Sequence, residues 1–167
     1  MMSDIEKNFI AKPVEWPPRL VICVGTIVLK DNQVLFIRQA KDQSLEGQWS
    51  IPWGFVDNEE TPESAALRET FEESGIKAEV KGLLGFQNLH QSGWIGLIFL
   101  CHHVEGKPIA DGIETDMASY LSLDELGKLG EPIEPWCEWL ARRVLEGEYS
   151  LIPSEPHNPY NPKMAFL

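Results

Sequence analysis

Three glutamates stand close together between Gly54 and Ile76, and their spacing is the strongest chemical signal in the chain. Residues three and four positions apart are neighbours on a helix, so Glu69, Glu72 and Glu73 would share one face. Like charges at these spacings each cost roughly a few tenths of a kcal/mol in an isolated helix, and no lysine lies among them. Oxygen ligands select hard cations such as Mg²⁺ or Mn²⁺. A solvated acidic face is the more common meaning of such a pattern taken alone, and a divalent-metal site is the alternative.

The residues next to these glutamates favour the divalent-metal site. Ala65 and Ala66 are expected to line the same helix face and to leave room for something bulky. Arg68 flanks the acids, where a guanidinium group can tether a carboxylate by a bidentate bond. Gly54 ends the preceding loop, and a glycine there permits close backbone approach to an ion.

The segment from Gly54 to Ile76 resembles the signature of the Nudix hydrolase family. The residues that match its fixed positions are Gly54, Glu60, Arg68, Glu69, Glu72, Glu73, Gly75 and Ile76. Two positions depart from the pattern: Thr70 stands where an aliphatic residue is usual, and Trp53 stands where a second glycine is often found. So many matches within 23 residues make a chance resemblance very improbable.

The resemblance implies how metal ions would be held. Members of the family use the helix glutamates for this purpose, so Glu69, Glu72 and Glu73 are the expected ligands of Mg²⁺ or Mn²⁺. The backbone carbonyl of Gly54 is expected to complete the set. Bound cations neutralise the charge of a diphosphate and lower the pKa of water, which makes a pyrophosphate bond vulnerable to hydrolysis.

The resemblance leaves two candidates for the catalytic base. One is Glu69 itself, and the other is a carboxylate from a later loop, for which Glu114 is the best candidate. Solvent exposure without a catalytic role is the competing interpretation of Glu114. Glu60 and Arg68 are expected to support the helix rather than to react.

Four residues outside the signature are candidates for substrate binding: Arg38, Trp53, Phe86 and Trp94. Arg38 ends a predicted strand and would contact a phosphate, with a surface salt bridge as the equal alternative. The three aromatic side chains would stack on a base, and packing in the core is the competing interpretation for each of them.

The predicted function is a metal-dependent hydrolase that cleaves a pyrophosphate bond in a nucleoside di- or triphosphate or a related nucleotide-like diphosphate. Residues 85–94 contain no proline and no tyrosine, which counts against the ADP-ribose, NADH and dinucleoside polyphosphate subgroups of the family. The main alternative is a non-catalytic, nucleotide-binding Nudix-like sensor module. Two further alternatives are a structural Mg²⁺ or Ca²⁺ site and a prenyl diphosphate isomerase, for which Cys101 lies in a poor, apolar setting.

Composition restricts the partners. The chain of 167 residues carries a net charge of −12, which disfavours a nucleic-acid polymer. A small anionic diphosphate is compatible with this charge, because a bound cation inverts the local field. No apolar run approaches the ~20 residues of a membrane span, and no secretory signal precedes the domain, so a cytoplasmic location is expected.

The elements that must position these residues begin with a predicted hairpin. Leu20–Leu29 is a nearly continuous apolar run, Asp31–Asn32 is a turn signal, and Val34–Ile37 resumes the run. Neither strand alternates cleanly, so both faces are expected to be covered. Further strands are predicted at Ala78–Phe86, Ile95–His103 and Ser119–Leu123.

The glutamates themselves lie in a predicted helix. Thr61 is a good N-cap, Pro62 suits the first helical position, and the helix is expected to end at Ser74 before Gly75. A last long helix is predicted over Pro135–Glu146. The side chains expected to point from the first helix toward a core are Leu67, Thr70 and Phe71.

These elements predict an α+β fold, a Nudix-type α/β/α sandwich built on a mixed sheet. Residues 1–17 are expected to form an irregular extension, residues 18–150 a single domain, and residues 151–167 a tail rich in Pro and Asn. The sequence does not decide whether the chain forms a homodimer in which this tail contributes to the interface.

Overall fold

Eight strands form one mixed sheet within residues 20–89, 93–155 and 166, the part of the chain that the computed structural model describes. The strands are β1 Val21–Lys30, β2 Gln33–Gln39, β3 Trp49–Ser50, β4 Trp53–Phe55, β5 Lys77–Asn88, β6 Trp94–Glu105, β7 Thr115–Leu121 and β8 Ile152–Pro153. The helices are α1 Pro62–Ser74, α2 Leu123–Lys128 and α3 Pro135–Leu145. The main path of the sheet runs β3-β2-β1-β6-β5-β8, while β4 pairs with β1 and β7 with β2.

The β1–β2 hairpin turns at Asp31–Asn32, as the sequence predicts. Both residues have positive φ, 48° and 59°, the conformation that two-residue hairpin turns require. The two strands stay paired only next to the turn, and β4 pairs with the other end of β1, where Val24 lies opposite Gly54. Because β1 also pairs in parallel with β6, it lies in the middle of the sheet.

Side chains of β1 point alternately to two apolar cores, one on each face of the sheet. Ile27 belongs to the core under α3, where it packs with Ala141 and Val144. Val24 and Val28 belong to the core under α1, together with Ala65 and Ala66 of that helix. The predicted α+β fold with a mixed sheet between helical layers is therefore confirmed.

Helix α1 begins and ends where the sequence predicts. The Thr61 hydroxyl accepts a hydrogen bond from the backbone N–H of Ser64, Pro62 occupies the first turn, and Gly75 closes the helix with φ 69°. Only glycine adopts this left-handed conformation without strain.

The predicted orientation of α1 is only partly correct. Ala65 and Ala66 are buried against the sheet, so they leave no open space for a ligand. Phe71 is 50% exposed and does not enter a core, whereas Thr70 is fully buried as expected. Ala66, Thr70 and Glu73 lie on the face of the helix that is buried, and helical periodicity then places Phe71 on the outer side.

The tail beyond α3 is described only in part. Residues 151–155 include β8, which pairs with β5, and Phe166 packs its ring 5.5 Å from that of Phe99. Residues 1–19, which contain the predicted N-terminal extension, lie outside the described residues, as do residues 156–165. The domain boundaries therefore stay a prediction. None of the helices in the described part has the length and apolar character needed to span a membrane.

Candidate active site

Two of the helix glutamates lie directly against the short strand β4. The Glu73 carboxylate accepts a hydrogen bond of 2.9 Å from the backbone N–H of Trp53. The Glu69 carboxylate lies against the α-carbon of Gly54, where a Cβ would overlap with it. Glycine is therefore required at position 54 for α1 to dock in this position.

Strand alternation explains why adjacent residues of β4 serve different faces of the sheet. Gly54 lies opposite Val24, whose side chain belongs to the core under α1. Trp53 lies opposite Gly25, and its side chain packs with the core under α3. Successive residues of a strand face opposite sides of the sheet, so Gly54 faces Glu69 while the indole of Trp53 lies on the other face.

The environment of these glutamates opposes their ionisation. Burial raises the pKa of Glu73 to about 8, and the negative charges of Glu69, Glu114 and Asp111 act in the same direction, against the hydrogen bond from Trp53. Burial likewise raises the pKa of Glu69, while the hydrogen bond from Arg68 lowers it. The groove therefore holds buried carboxyl groups whose ionised forms its own residues stabilise only in part.

Arg68 is the cation that holds the motif together. Its guanidinium group donates hydrogen bonds to Glu60 at 3.0 Å and to the backbone carbonyl of Phe55 at 2.9 Å. It also bonds Glu69 at 2.8 Å and Glu72 at 3.0 Å. Its hydrogen bonds are the largest cause that lowers the pKa of Glu60. One side chain thus connects the loop after β4 with the helix.

The loop before β7 brings Glu114 to the same groove. The hydroxyl of the buried Thr115 donates a hydrogen bond of 2.8 Å to the backbone carbonyl of Glu73, at the end of α1. The Asp111 carboxylate accepts backbone N–H groups of residues 113–115 and so fixes the turn. The exposed Glu114 lies close enough for its charge to raise the pKa of both Glu69 and Glu73.

Arg38 lies elsewhere. Its guanidinium group forms ion pairs of 2.8 Å with Asp116 on β7 and 2.8 Å with Glu131 before α3. Glu131 also accepts a hydrogen bond from the indole N–H of the buried Trp49. These contacts match the salt-bridge alternative for Arg38, and its described hydrogen bonds do not reach the glutamates of α1.

Two of the three predicted aromatic residues, Trp53 and Trp94, pack against other aromatic side chains. The indole of Trp53 covers Gly25 and Gly96 on neighbouring strands, where any Cβ would clash with it. Its ring centroid lies 6.1 Å from that of Trp136 on α3. Phe55, which follows Gly54 on β4, packs its ring edge to face against that of Trp94, and the ring centroids are 5.5 Å apart.

Phe86 is 69% exposed and borders a cavity that sequence reasoning did not find. The cavity has a volume of about 360 Å³ and lies between β5, β6, α3 and the chain that follows α3. Its aromatic lining consists of Phe86, Trp136, Trp139 and Tyr149. The signal available in the sequence was the spacing of Trp136, Trp139 and Arg143 along one face of the last predicted helix.

The chemistry of the groove residues suits a divalent cation, and each of the three helix glutamates accepts a hydrogen bond within the protein. Within residues 20–89, 93–155 and 166, no three acidic, His or Cys groups are arranged to enclose an ion. Glu69 and Glu72 are instead engaged by Arg68, and Glu73 by Trp53. The donor set consists of carboxyl oxygen atoms, and a hard cation would stabilise their ionised form.

The three cysteines do not extend this chemistry. Cys23, Cys101 and Cys137 are all free and buried. Burial raises the pKa of Cys101 to about 12, so its thiol stays protonated and unreactive near neutral pH. An additional catalytic cysteine, which the isomerase alternative needs, has no candidate among these buried thiols.

Comparison with known proteins gives consistent matches. A family model described as NUDIX domain matches residues 19–140. A MutT-like protein from Streptomyces ambofaciens is 33% identical over 112 residues, which cover 67% of this chain and 70% of the relative. An ADP-ribose pyrophosphatase from Methanocaldococcus jannaschii is 32% identical over 112 residues, which cover 65% of each protein.

The fold also matches solved structures. A NUDIX hydrolase from Nitrosomonas europaea superposes with a TM-score of 0.67 at 24% sequence identity, covering 77% of this chain and 72% of that protein. At this level of identity the likeness concerns the fold.

Proposed function

The chain belongs to the Nudix hydrolase family, and from that premise we propose that it is a metal-dependent pyrophosphohydrolase acting on a nucleotide-like diphosphate. The observation that carries this proposal is the docking of α1 onto β4. Glu69 and Glu73 meet Gly54 and Trp53 there, and the charge of Glu114 acts on the same groove.

In this proposal Glu69, Glu72 and Glu73 hold Mg²⁺ or Mn²⁺, together with the backbone carbonyl of Gly54. Such an ion, when bound, neutralises the charge of a diphosphate and lowers the pKa of water. Arg68 keeps Glu69 and Glu72 in the groove, because it ties both to the loop after β4.

A carboxylate of the chain must accept the proton of the attacking water. Glu69 is one candidate, but one of its oxygens already accepts a hydrogen bond from Arg68. Glu114 is the other, since its side chain is exposed and lies on a loop anchored to the end of α1 through Thr115. Replacing Glu114 by glutamine decides between them: if Glu114 is the base, turnover is lost and metal binding is kept, whereas Glu69→Gln should weaken both because Glu69 is also a proposed ligand.

The organic part of the substrate is proposed to occupy the aromatic cavity. Its volume of about 360 Å³ lies within the range of roughly 300–1,000 Å³ that is usual for ligand pockets. Trp53 contacts both regions from opposite faces of the sheet, because its backbone N–H binds Glu73 while its indole packs on Trp136, which lines the cavity. Phe86 is exposed at the rim, where its ring can stack on a planar base.

The name of the Methanocaldococcus relative suggests one substrate to include. It is called an ADP-ribose pyrophosphatase, whereas residues 85–94 of this chain lack the proline and tyrosine markers discussed above. The test panel should therefore contain ADP-ribose, nucleoside di- and triphosphates and sugar nucleotides side by side.

The test is a Mg²⁺-dependent screen of this panel, which measures phosphate released after treatment with a phosphatase. Wild-type protein should consume at least one member, and Glu69→Gln and Glu73→Gln should lower its turnover by orders of magnitude. Glu63→Gln is the matched control, because Glu63 lies in the first turn of the same helix. Binding of a nucleotide without any turnover would instead support the sensor module.

A further inference from the structure

A buried pair of hydroxyl groups lies beneath the glutamates of α1. Thr70 departs from the family pattern, which has an aliphatic residue at this position. Its side-chain oxygen lies 2.7 Å from that of Thr26 on β1, and the two residues are 0% and 1% exposed. The polar substitution on the helix thus meets a polar partner on the strand.

The direction of this hydrogen bond follows from a second contact. The Thr70 hydroxyl donates its single proton to the backbone carbonyl of Ala66, one turn earlier, at 2.7 Å. It is therefore left as an acceptor toward Thr26, and the Thr26 hydroxyl must be the donor. With both contacts made, neither hydroxyl is left unsatisfied.

The pair joins α1 to β1, and β1 is the strand with which β4 pairs. The backbone N–H of Thr26 donates to the carbonyl of Pro52 at 3.1 Å, directly before Trp53. Thr70 follows Glu69 in the helix. One strand residue therefore contacts both the segment that begins β4 and the part of α1 that carries the glutamates.

We propose that Thr26 and Thr70 are positioning residues that fix α1 on the sheet so that Glu69 and Glu73 meet β4. An aliphatic pair would fill the space without a directional bond and would allow the helix to shift along β1. The contact at Gly54 is so close that even a Cβ would overlap with the Glu69 carboxylate, so a small shift of the helix would change how Glu69 meets β4. The functional part of this proposal rests on the proposed metal-dependent hydrolysis.

The test compares Thr26→Val, Thr70→Val and the double variant in a double-mutant cycle. Thr70→Val should lower the Tm more than Thr26→Val, because it leaves the buried Thr26 proton without an acceptor. The double variant should regain part of that loss, since no unpaired donor remains. Thr70→Ser keeps the hydroxyl and should behave like the wild type in the functional measurements even if the lost methyl group lowers its Tm.

Two readouts separate positioning from plain destabilisation. The ¹⁵N-detected shift of the Trp53 amide reports its hydrogen bond to Glu73, and the double variant should move this signal. Mn²⁺ titration followed by electron paramagnetic resonance should show affinity at least about 10-fold weaker in the same variant, with lower kcat and a nearly unchanged KM. Ile27→Val is the control, because it destabilises β1 on the opposite face of the sheet and should leave both readouts as in the wild type.

The outcomes distinguish the two proposals. An unchanged Trp53 amide signal in the double variant overturns the positioning role, whatever the wild type hydrolyses. Wild-type Mn²⁺ affinity and kcat in that variant also overturn it. A wild-type protein that binds no Mn²⁺ overturns the proposed function, while a moved amide signal would still support a positioning role for the pair.

Discussion

Replacing Glu73 by glutamine is expected to stabilise the metal-free protein while it abolishes most of the activity. The side chain is 3% exposed, and its pKa is raised from 4.5 to about 8, mainly by burial. A carboxylate with a raised pKa destabilises the folded state wherever the unfolded chain would ionise. Glutamine carries no charge and still offers an oxygen to the Trp53 amide.

The expected size of the effect follows from that pKa. Each pH unit above 4.5 over which only the unfolded state is ionised costs about 1.4 kcal/mol. At pH 7 the penalty on the wild type is roughly 3 kcal/mol, and it stops growing above pH 8, where the folded state is ionised too. The contribution of Glu73 to the stability of the wild type should therefore fall as the pH rises from 4.5 to 8.

The assay is urea unfolding in the presence of a chelator at a series of pH values between 5 and 8. The free energy of unfolding of Glu73→Gln should exceed that of the wild type by an amount that increases with pH. Glu72→Gln is the control, because the Glu72 side chain lies on the same helix and is 56% exposed, where it pairs with Arg68 at the surface. A difference that is absent at pH 8, or that does not change with pH, would refute the reasoning.

Three further predictions concern the groove and the cavity. Gly54→Ala should lower kcat by more than about 10-fold, because the added methyl group displaces the Glu69 carboxylate; Gly127→Ala, where a Cβ meets no atom within 4 Å, is the control. Glu114→Gln should lower kcat by about 10²–10⁴-fold, the usual contribution of a general base, with unchanged Mn²⁺ affinity in a calorimetric titration; weakened Mn²⁺ binding would make Glu114 a ligand instead. Phe86→Ala should raise the KM of a base-containing substrate and leave kcat nearly unchanged, and unaltered steady-state kinetics would exclude the cavity.

Local signals in the sequence were sufficient to predict α1 and its acids. The Thr61 cap, the proline in the first turn and Gly75 at the end determine where this helix begins and stops, and these signals depend only on neighbouring residues. The grouping of Glu69, Glu72 and Glu73 follows from helical periodicity alone.

Local signals in the sequence did not show which face of α1 packs against the sheet. Which face becomes buried depends on what the sheet offers, and here Thr26 offers a hydroxyl to Thr70. The short strand β4 was missed for a similar reason. Its three residues carry no periodic pattern, and it exists because β2 diverges from β1 and leaves part of that strand to be paired.

The contribution of distant segments to the site was the least predictable feature. Thr115 reaches the end of α1 across 42 residues of sequence, so the approach of Glu114 depends on a tertiary contact. The aromatic cavity combines β5 and β6 with α3 and the chain after it. No local pattern shows that these segments enclose a common space.

The groove between α1 and β4 is expected to bind a divalent cation through its glutamates. The most direct measurement is anomalous diffraction from crystals soaked in Mn²⁺ together with a non-hydrolysable diphosphate analogue. A peak within coordination distance of Glu69, Glu73 and the carbonyl of Gly54 is the predicted result. An empty groove at saturating Mn²⁺, or a peak held by other residues, would contradict the claim.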